Sequence, residues 1–357
     1  MTRVTIVVPC YQEQGFIRGC IDSVLAFELP PGFDSEILVI DGMSTDGTRE
    51  IIQSMARENA RIRMLDNPGR IQSTAMNAAI ERATGEFIVR LDAHSTYPTD
   101  YVLRCIETSQ RTGAENVGGL FLTQSRGEGY EAALVQALTT HRFGVGDAGF
   151  RVDAPEGPAD TVPYGCFRRE VFRRIGPYDE RLVRAQDYEI NRRILRMGGT
   201  VWLNPAIRVL YYQQPTLLRF FRKQVEKDAP YNAYLWYVAP YAFAPRHAVT
   251  GAFAAGVIGG LALASLVPLV GWIFGAVMLL YLGLALVAAV QQARRYRRPL
   301  HVLCLPPCFF LYHFLHGLGV LYGLLRLATG TAPVQRVREP WPGAGRLRAW
   351  PLGAAAD

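Results

Sequence analysis

Short β-branched runs alternate with helical periodicities along the first 240 residues of this 357-residue chain. Four apolar runs have the length and bounding residues of buried strands: 4–8, 36–40, 62–65 and 86–91. Apolar residues at helical spacing predict three helices, 15–26, 48–59 and 71–83, the last closed by Gly85 as a C-cap. Strands that alternate with helices form parallel sheets with right-handed crossovers. The pattern therefore predicts an α/β fold with a mostly parallel, doubly wound sheet.

Polar residues follow three of the predicted strands, at the sheet edge where ligands bind in such folds. The segments are Pro9-Cys-Tyr-Gln-Glu13, Asp41-Gly-Met-Ser-Thr-Asp46-Gly-Thr and Asp92-Ala-His94. Three acids that converge on one crevice indicate a bound ligand or cation. We expect Glu13 and Asp41 to accept hydrogen bonds from the base and ribose of a nucleoside. Asp46 precedes a glycine and is interpreted as a turn or cap residue.

The C-terminal third of the chain is strongly apolar. Residues 248–290 contain no Asp, Glu, Lys or Arg over 43 positions, and one bilayer crossing needs roughly 20 such residues. They predict two spans with a tight turn near residues 268–271, because a buried hairpin of a soluble protein would rarely be so long. A second uncharged stretch, 302–325, is 24 residues long and contains prolines and histidines. Crossing, re-entrant and interfacial arrangements all remain open for it.

The charge is distributed unevenly along the chain. Residues 1–240 hold 28 basic and 29 acidic side chains, whereas residues 241–357 hold 10 and 2. This argues against a nucleic-acid-binding face on the N-terminal part. Arginines at positions 294, 295, 297 and 298 follow the hairpin as in a cytoplasmic loop, so residues 1–247 are expected in the cytoplasm too. The basic tail favours the same side, and therefore a segment 302–325 that does not cross: Arg326, Arg336, Arg338, Arg346 and Arg348.

These patterns divide the chain into four parts. Residues 1–230 form the predicted cytoplasmic domain, 231–247 an interfacial linker rich in Tyr and Trp, 248–325 the membrane-embedded helices and 326–357 the basic tail. Residues 216–228 form an amphipathic basic helix that suits either an anionic membrane surface or packing against the domain. Residues 141–160 are rich in Gly, Asp and Pro, and they predict a mobile lid over the ligand site.

Four motifs in a fixed order carry a resemblance to a known family. They are V-V-P-C-Y-Q-E, V-I-D-G-M-S-T-D-G-T, A-T-G-E-F-I-V-R-L-D-A-H and A-Q-D-Y-E-I-N-R-R, within about residues 3–225. In them the chain resembles glycosyltransferase family 2, the inverting nucleotide-sugar transferases of GT-A fold. It looks most similar to the succinoglycan-biosynthesis branch, bacterial enzymes that extend a lipid-linked oligosaccharide. L-D-A-H-S, F-G-V-G-D-A-G-F and Q-D-Y-E-I-N carry that closer likeness.

The resemblance implies a donor site at the strand ends. The implied nucleotide-sugar-binding residues are Pro9, Tyr11, Glu13, Asp41, Asn77 and Asp92. Asp92 and His94 occupy the place where the family usually has an Asp-x-Asp pair that holds a divalent cation on the diphosphate. An imidazole there suits Mn²⁺ better than Mg²⁺, which prefers oxygen ligands. In the alternative interpretation, His94 hydrogen-bonds the loop or a phosphate oxygen without touching metal.

A second chemical site is implied at Gln186-Asp187-Tyr188-Glu189, where a predicted helix begins. Inversion by direct displacement needs one base, and the resemblance implies that Asp187 has that role. The helix dipole favours a charged carboxylate in the first turn, so we expect Asp187 to be ionised at neutral pH. Taken alone, Asp187 fits a helix cap at least as well. Glu189 is expected to be structural or to bind the acceptor. Either Arg192 or Arg193 is expected to face the phosphates or to form a solvated salt bridge.

These expectations combine into an inverting glycosyltransferase of a bacterial inner membrane, multi-pass and with its catalytic domain in the cytoplasm. Its expected donor is a nucleotide-diphosphate hexose, with UDP as the first choice, and its acceptor is a glycan on polyprenyl diphosphate. The other expected partners are membrane lipids and a divalent cation, Mn²⁺ or Mg²⁺. One alternative is a processive polysaccharide synthase, whose Gln-x-x-Arg-Trp signature resembles residues 292–296, although these follow the hairpin. The other alternative is a sugar-nucleotide-binding scaffold without transfer activity.

Overall fold

The computed structural model describes residues 2–125, 127 and 129–334, which divide into two compact units. The first unit comprises residues 2–122 and 153–211, and the second comprises residues 123–152 and 212–334. The predicted tail arginines after residue 334 lie outside the described residues. The strands are β1 (Thr2–Cys10), β2 (Phe33–Asp41), β3 (Ile62–Asp66), β4 (Phe87–Arg90), β5 (Asn116–Ser125), β6 (Gly157–Pro158), β7 (Cys166–Arg168) and β8 (Val201–Gln213).

Helices alternate with the first strands and then continue alone. They are α1 (Ile17–Leu25), α2 (Thr48–Glu58), α3 (Gln72–Arg82), α4 (Tyr101–Thr112), α5 (Tyr130–Thr139), α6 (Arg142–Val145), α7 (Val171–Ile175), α8 (Gln186–Arg196), α9 (Leu217–Lys223), α10 (Ala229–Val238), α11 (Pro245–Leu263), α12 (Pro268–Tyr296) and α13 (His301–Ala328). A π-helical segment, Gln224–Asp228, joins α9 to α10. Every strand and helix predicted before residue 92 forms, with ends that shift by at most three residues.

The described strands form one mixed sheet in the order β3-β2-β1-β4-β7-β5-β8-β6. β1 lies between β2 and β4 and is parallel to both, and β2 is parallel to β3. β7 is antiparallel to β4 and to β5, and β6 is antiparallel to β8. The doubly wound parallel half is as predicted. The antiparallel part was not predicted, because β6 and β7 are too short to show a periodicity.

Helices pack against the parallel half and bury the central residues of β1 and β2. Residues 4–8 of β1 and 37–40 of β2 are buried without alternation, as expected for strands covered on both sides. α3 packs against β1 and β2, and α2 packs against β3. α1 buries one face at helical spacing through Ile17, Cys20, Ile21 and Val24. This packing fixes the carboxyl ends of β1, β2 and β4 at one edge of the sheet.

Gly85 does not cap α3, contrary to the expectation from the sequence. The helix ends at Arg82, and Ala83 is the capping residue in an extended conformation. The Gly85 N–H donates to the Thr5 hydroxyl over 2.9 Å. A Cβ atom on Gly85 would lie 2.5 Å from the backbone nitrogen of Thr5. Glycine is needed here because two backbones approach closely as the chain enters β4, and not because a helix ends.

The second unit is held together by a helical core. Its buried members are Leu134, Val135, Ala137, Leu138, Phe220, Ala288, Ala289, Leu305, Cys308 and Phe309. They belong to α5, α9, α12 and α13, so the apolar faces of α5 and α9 find their partners on the apolar C-terminal helices. Residues 123–152 and 212–230 therefore belong to this unit. A single domain over residues 1–230, as predicted, does not describe the fold.

Residues 141–160 contain three short elements, α6, a 3₁₀ turn at Gly149–Arg151 and β6, and the predicted mobile lid stays a prediction. Phe143 on α6 packs edge to face against Phe309 and also contacts the rings of Tyr281 and His313. Further along, β6 pairs with β8. Gly144, one of the glycines on which the loop prediction depended, serves close packing: a Cβ atom there would lie 2.0 Å from the Leu138 carbonyl oxygen.

The segment that resembles a Gln-x-x-Arg-Trp signature lies in the last turns of α12 and not in a loop. Gln292 is buried, and its Nε2 donates to the Ala137 carbonyl at 2.6 Å and to the Thr140 hydroxyl at 3.0 Å. Arg295 donates to the Thr140 carbonyl at 3.3 Å. These contacts join α12 to the end of α5 within the second unit, which gives the segment a structural task.

Three helices among the described residues are long and apolar enough to cross a membrane, namely α11, α12 and α13. α11 and α12 form the predicted hairpin, with Phe253 stacked on Tyr281 at 4.7 Å. Their outer surface exposes more large apolar side chains than a water-soluble surface usually does: Trp272 is 81% exposed and Leu279 is 73% exposed. These features identify a membrane protein.

α13 differs from the hairpin in how much of it the protein covers. It is one helix of 28 residues. In an apolar stretch of 18 residues within it, 39% is buried, compared with 17% in the corresponding stretches of α11 and α12. Its first turns place Leu305 in the core beside the C-terminal part of α12. Its last turns contact α10, where a Cβ atom on Gly323 would lie 2.7 Å from the Pro230 carbonyl oxygen.

Candidate active site

An arginine links the carboxyl ends of β2 and β3. Asp41, the last residue of β2, is fully buried, and its Oδ2 accepts hydrogen bonds from Arg49 Nη1 at 2.6 Å and from the Ser44 N–H at 3.0 Å. Arg49 also donates through Nη2 to Asp66 Oδ1 at 2.8 Å. A buried carboxylate requires such a counter-charge. The predicted nucleoside contact of Asp41 stays a prediction. Arg49, which contacts Asp41, lies at the same strand end.

The residues after β1 turn sharply over the loop that precedes α2. Gln12 has a φ of 56°, and its N–H donates to the Ser44 hydroxyl at 2.9 Å. The Glu13 N–H donates to the Thr48 hydroxyl, also at 2.9 Å. Asp46 accepts hydrogen bonds from the backbone of the same two loops and serves as a turn residue. The loop is therefore held in one conformation by side-chain hydroxyls of its neighbour.

This turn brings Glu13 to the loop after β4. His94 Nδ1 donates to Glu13 Oε1 at 2.9 Å, so two residues predicted for different tasks form one pair. Pro9 lies half-buried on β1, and Tyr11 is exposed at the edge of the crevice. The bond to Glu13 places the proton of His94 on Nδ1 and sets the orientation of its ring.

Asp92 and Asp187, the two acids central to the predicted chemistry, are joined by one guanidinium. Arg90, the last residue of β4, donates through Nη2 to Asp92 Oδ1 at 2.5 Å, and its Nη1 lies 3.2 Å from Asp187 Oδ2. The Arg90 side chain is 6% exposed, whereas Asp92 is 22% and Asp187 35% exposed. A buried arginine thus lies between two acids that are each partly exposed.

Aromatic residues hold the other sides of this group. The Arg90 guanidinium lies over the Tyr164 ring, 5.3 Å from its centroid. The Tyr164 hydroxyl bonds to Ser95 at 3.0 Å. The Asp92 N–H donates to the Tyr97 hydroxyl at 2.7 Å. Burial, with a smaller contribution from the charge of Asp92, raises the pKa of Tyr164, so its hydroxyl stays neutral beside Arg90.

The charges of the three linked residues shift one another. Burial raises the pKa of Asp187, and Arg90 opposes that rise while Asp92 adds to it. Burial lowers the pKa of Arg90, but the two carboxylates reverse the effect and raise it overall. The sequence suggested that the helix dipole would favour the ionised form of Asp187. In the structure desolvation opposes that influence, and Arg90 supplies the main compensation.

α8 carries Asp187 in its first turn. The preceding Ala185 has a φ of 63°, a left-handed conformation that is uncommon for a residue with a side chain. Asn191 Nδ2 donates to the Asp187 carbonyl at 2.9 Å, and no side chain caps the helix at Ala185. The Asp187 side chain therefore contacts Arg90 across the crevice, whereas the capping interpretation would have used it on its own helix.

Glu189 and Arg193 form a separate buried pair on the same helix. Arg193 Nε donates to Glu189 Oε1 at 2.8 Å, and Arg193 Nη1 donates to the carbonyls of Ile175 at 3.0 Å and Pro177 at 2.5 Å. Both side chains are almost fully buried. This pair ties α8 to the segment after α7, so Arg193 is a structural residue in this fold, and Glu189 is its partner.

Asn77 holds a loop of the fold. Its Nδ2 donates to the Tyr178 carbonyl at 3.0 Å and to Glu180 Oε1 at 2.8 Å, and its Oδ1 accepts from the Tyr178 N–H at 2.8 Å. The amide thus fastens α3 to the loop that leads into α8. The diphosphate contact expected for Asn77 stays a prediction, and the structure gives this side chain another function.

The donor set at the crevice fits a cation that takes most of its ligands from a substrate. Among the described residues, no group of three His, Cys, Asp or Glu side chains is arranged to hold a metal. Asp92 and His94 supply one carboxylate and one imidazole near the end of β4. Mg²⁺ and related ions in phosphate-transferring sites commonly use one or two protein ligands together with phosphate oxygens and water. An imidazole in the set favours Mn²⁺.

The structure brings the predicted residues together in three groups. Asp92 with Asp187 and Glu13 with His94 form two of them at the crevice, while Asp41 pairs with Arg49 at the neighbouring strand end. Sequence reasoning missed Arg90, Arg49 and Tyr164 as parts of the site. One signal was present for Arg90, because a charged residue that ends a fully buried strand needs partners. No comparable local signal marks Arg49 or Tyr164.

Comparison with known proteins places this site in a family. Residues 5–176 match the profile of Glycosyl transferase family 2. Succinoglycan biosynthesis protein ExoA of Rhizobium meliloti (strain 1021) is 32% identical over 222 residues, which cover 62% of this chain and 66% of that relative. The dolichyl N-acetyl-alpha-D-glucosaminyl phosphate 3-beta-D-2,3-diacetamido-2,3-dideoxy-beta-D-glucuronosyltransferase of Methanococcus voltae is 25% identical over 343 residues, 91% of this chain and 98% of that protein.

The fold is similar to that of a solved enzyme. Mannosyltransferase PcManGT from Pyrobaculum calidifontis, in complex with GDP-Man and Mn²⁺, aligns with a TM-score of 0.55 and 17% sequence identity over 90% of this chain and 86% of that one. The mixed sheet with acids at its strand ends is thus the GT-A fold, as expected. The chain belongs to glycosyl transferase family 2, and its class is that of the glycosyltransferases. The resemblance to the succinoglycan-biosynthesis branch is confirmed.

Proposed function

We propose that this protein is an inverting glycosyltransferase that moves a hexose from a nucleotide-diphosphate donor, UDP-linked in the first instance, to a lipid-linked glycan. The observation that carries the proposal is the Asp92–Arg90–Asp187 group, in which two acids open to one crevice share a buried guanidinium. The family match and the names of the relatives support a role in exopolysaccharide or cell-surface glycan synthesis.

In the proposed reaction Asp187 is the base. The acceptor oxygen attacks the anomeric carbon while the bond from that carbon to the donor diphosphate breaks, and the acceptor proton passes to Asp187. The nucleoside diphosphate leaves with the bonding pair. Arg90 keeps Asp187 oriented and partly offsets the burial that raises its pKa. The partial burial of Asp187 also limits water at the reacting atoms, which reduces hydrolysis of the donor.

Asp92 and His94 are the residues proposed to hold a divalent cation, with Glu13 orienting the His94 ring. Such a cation, when bound, neutralises charge on the departing diphosphate. The Mn²⁺ in the complex of the mannosyltransferase with a similar fold is consistent with this assignment. Pro9, Tyr11, Glu13 and Asp41 are proposed to line the nucleotide side of the crevice, and Arg49 accompanies Asp41 there.

A lipid-linked acceptor is supported by the membrane character of the second unit. Enzyme and acceptor confined to one membrane have a high effective concentration for each other. The dolichyl-phosphate name of the Methanococcus voltae relative is in keeping with such an acceptor. Polyprenyl diphosphate is the proposed carrier in a bacterial inner membrane, with residues 1–247 in the cytoplasm because arginines flank the hairpin on that side.

We further propose that α13, one continuous helix of 28 residues, lies along the surface of this membrane and does not cross it. α11 and α12 form a hairpin, so the start of α11 and the end of α12 lie at the same end of it. α13 begins beside the end of α12 and finishes against α10, which directly precedes α11. Both ends of α13 therefore lie at one end of the hairpin, and the chain after Ala328 is expected on the cytoplasmic side with the rest.

The decisive experiment compares the full-length chain with its Asp187→Asn variant in membranes supplied with labelled nucleotide sugars, Mn²⁺ and a lipid extract. The variant should bind UDP as the parent does at saturating Mn²⁺, yet transfer about 10²- to 10⁴-fold more slowly, because a positioned base is lost. One added sugar per acceptor supports the proposal. A long polymer would indicate a processive synthase, and donor binding without transfer by the parent would indicate a scaffold. Unchanged turnover in the variant would refute the role of Asp187.

A further inference from the structure

The guanidinium of Arg90 contacts two acids that have different tasks in the proposed reaction. Asp92 is 2.5 Å from Arg90 Nη2, and Asp187 is 3.2 Å from Arg90 Nη1. The Arg90 side chain is 6% exposed, so these charges interact where the effective dielectric constant is lower than that of water. A change of charge at either acid must therefore be felt by Arg90 and, through it, by the other acid.

The sheet fixes the backbone of Arg90, but the positive charge of its side chain is balanced only by the two acids. The Arg90 N–H donates to the Gly165 carbonyl at 3.0 Å as part of the sheet. One face of the guanidinium is covered by the Tyr164 ring. Among the described residues, Arg90 Nε has no hydrogen-bond partner. The two terminal nitrogens therefore form the ion pairs that balance this buried cation, one with Asp92 and one with Asp187.

A divalent cation on Asp92 would compete with Arg90. Both are positive, both use the same carboxylate, and they repel each other at short range. Asp187 offers Arg90 a second anion that the cation site does not use. Occupation of Asp92 would therefore weaken the contact of Arg90 with Asp92 and strengthen its contact with Asp187.

We propose that Arg90 is a positioning residue that couples the cation site to the base. It holds both acids when Asp92 carries no cation, and it holds Asp187 alone once a divalent cation occupies Asp92, so that the base is oriented when the donor site is ready. This inference rests on the proposed function, because it takes Asp187 as the base and Asp92 as the cation ligand.

A purely structural role for Arg90 predicts a different result from the coupling role. If Arg90 only fills space and balances buried charge, its loss should weaken folding, cation binding and transfer together. In the coupling role Arg90 competes with the cation, so its loss should strengthen cation binding while it slows transfer. The opposite signs of these two effects separate the two roles.

The test measures binding of Mn²⁺ alone, by electron paramagnetic resonance, to the purified full-length chain in detergent, and measures transfer separately. Arg90→Met should bind Mn²⁺ about tenfold more tightly than the parent, because a competing charge is gone. Its kcat should fall about 10²-fold, because the base is no longer held. Arg90→Lys keeps the charge and should bind Mn²⁺ as the parent does, but a single ammonium cannot bridge two acids, so its kcat should lie between the two.

Three further variants control for misfolding and for general effects of charge. Asp187→Asn frees Arg90 to hold Asp92 more firmly, so it should bind Mn²⁺ more weakly than the parent. The double variant Arg90→Met with Asp187→Asn removes one charge of each sign, keeps the buried charge balanced and should bind Mn²⁺ more tightly than Asp187→Asn alone. Arg104→Met removes an exposed arginine paired with Asp100, and it should leave Mn²⁺ affinity unchanged.

Tighter Mn²⁺ binding together with slower transfer in Arg90→Met supports the coupling. The coupling is overturned if Arg90→Met binds Mn²⁺ no more tightly than the parent and the double variant binds it no more tightly than Asp187→Asn. It is also overturned if Arg90→Met turns over as fast as the parent. The proposed function fails separately, when the parent transfers no sugar or Asp187→Asn transfers normally, and the Mn²⁺ measurements are independent of that result.

Discussion

At the scale of single residues, solvent exposure separates the acids that are proposed to take part in the reaction from an acid that supports the fold. Glu189 and Asp187 both lie in the first turn of α8, yet Glu189 is fully buried against Arg193, and Asp187 is 35% exposed. Arg193 uses its remaining nitrogen on backbone carbonyls, so that pair is closed. Arg90 instead bonds to two acids that are open to ligands, which makes its pairs adjustable.

The raised pKa of Asp187 predicts the acidic side of the pH profile. Burial raises this pKa, and a base acts only when ionised, so activity should be lost as the pH falls through the raised value. The acidic limb of kcat/KM should therefore lie above about 3.9, the ordinary pKa of an aspartate. The measurement is kcat/KM against pH at saturating Mn²⁺, with UDP binding followed over the same range as the control. A limb at or below the ordinary value, with UDP binding intact, would contradict the prediction.

At the scale of elements, glycines mark close approaches more often than turns in this chain. Gly85 allows the start of β4 to lie against β1, and Gly144 allows α6 to lie against the end of α5. In both places the sequence predicts the end of a helix or a loop, because an isolated glycine is typical of such positions. The neighbour that makes glycine necessary lies on another element, and local sequence does not reveal it.

This distinction predicts opposite effects for two Gly→Ala substitutions. Gly85→Ala would place a Cβ atom 2.5 Å from backbone, and the forced shift should destabilise the first unit by about 1–3 kcal/mol. Gly19→Ala, on the exposed side of α1 with nothing within 4 Å, should stabilise by about 0.5–1 kcal/mol through helix propensity. Thermal unfolding of the purified full-length variants measures both shifts. Shifts of the same sign would argue against the close approach at Gly85.

At the scale of the whole molecule, the unit that contains the apolar helices is larger than hydropathy alone indicates. α5, α6, α9 and α10 belong to the same compact unit as the apolar helices, although α9 carries several charges. Among the described residues, the three helices long and apolar enough to cross a membrane lie in the second unit, and the acids of the candidate site lie in the first. The chain therefore passes from one unit to the other and returns, at residues 122–123 and 152–153, before it enters the hairpin.

Labelling of single introduced cysteines tests the proposed membrane arrangement. Ser265→Cys lies in the turn between α11 and α12 and should react with a membrane-impermeant maleimide in intact cells. Arg297→Cys, after α12, and Thr331→Cys, after α13, should react only in permeabilised cells, because α13 is proposed to begin and end on the same side of the membrane. The parent chain, whose six cysteines are buried or half-buried, is the control for background labelling. Reaction of Thr331→Cys from outside would show that α13 crosses.

The sequence alone determined the elements of the parallel half-sheet, the apolar hairpin and the positions of the acids at the strand ends. These features follow from hydrophobic periodicity and from residues adjacent along the chain, so they can be predicted without knowledge of the fold. Together with the family resemblance, the sequence predicts that a cation ligand at Asp92 and a base at Asp187 face one another across the anomeric carbon, but it does not predict the arginine that lies between them.

Only the tertiary structure decided how those residues are connected. It paired Arg90 with both Asp92 and Asp187, joined His94 to Glu13, used the Asn77 amide to hold a loop and drew residues 123–152 into the helical unit. Ion pairs, pKa shifts and shared cores depend on distances between segments far apart in sequence, and desolvation sets their strength. No pattern along the chain encodes those distances, and for that reason the central arginine of the site emerged from the fold.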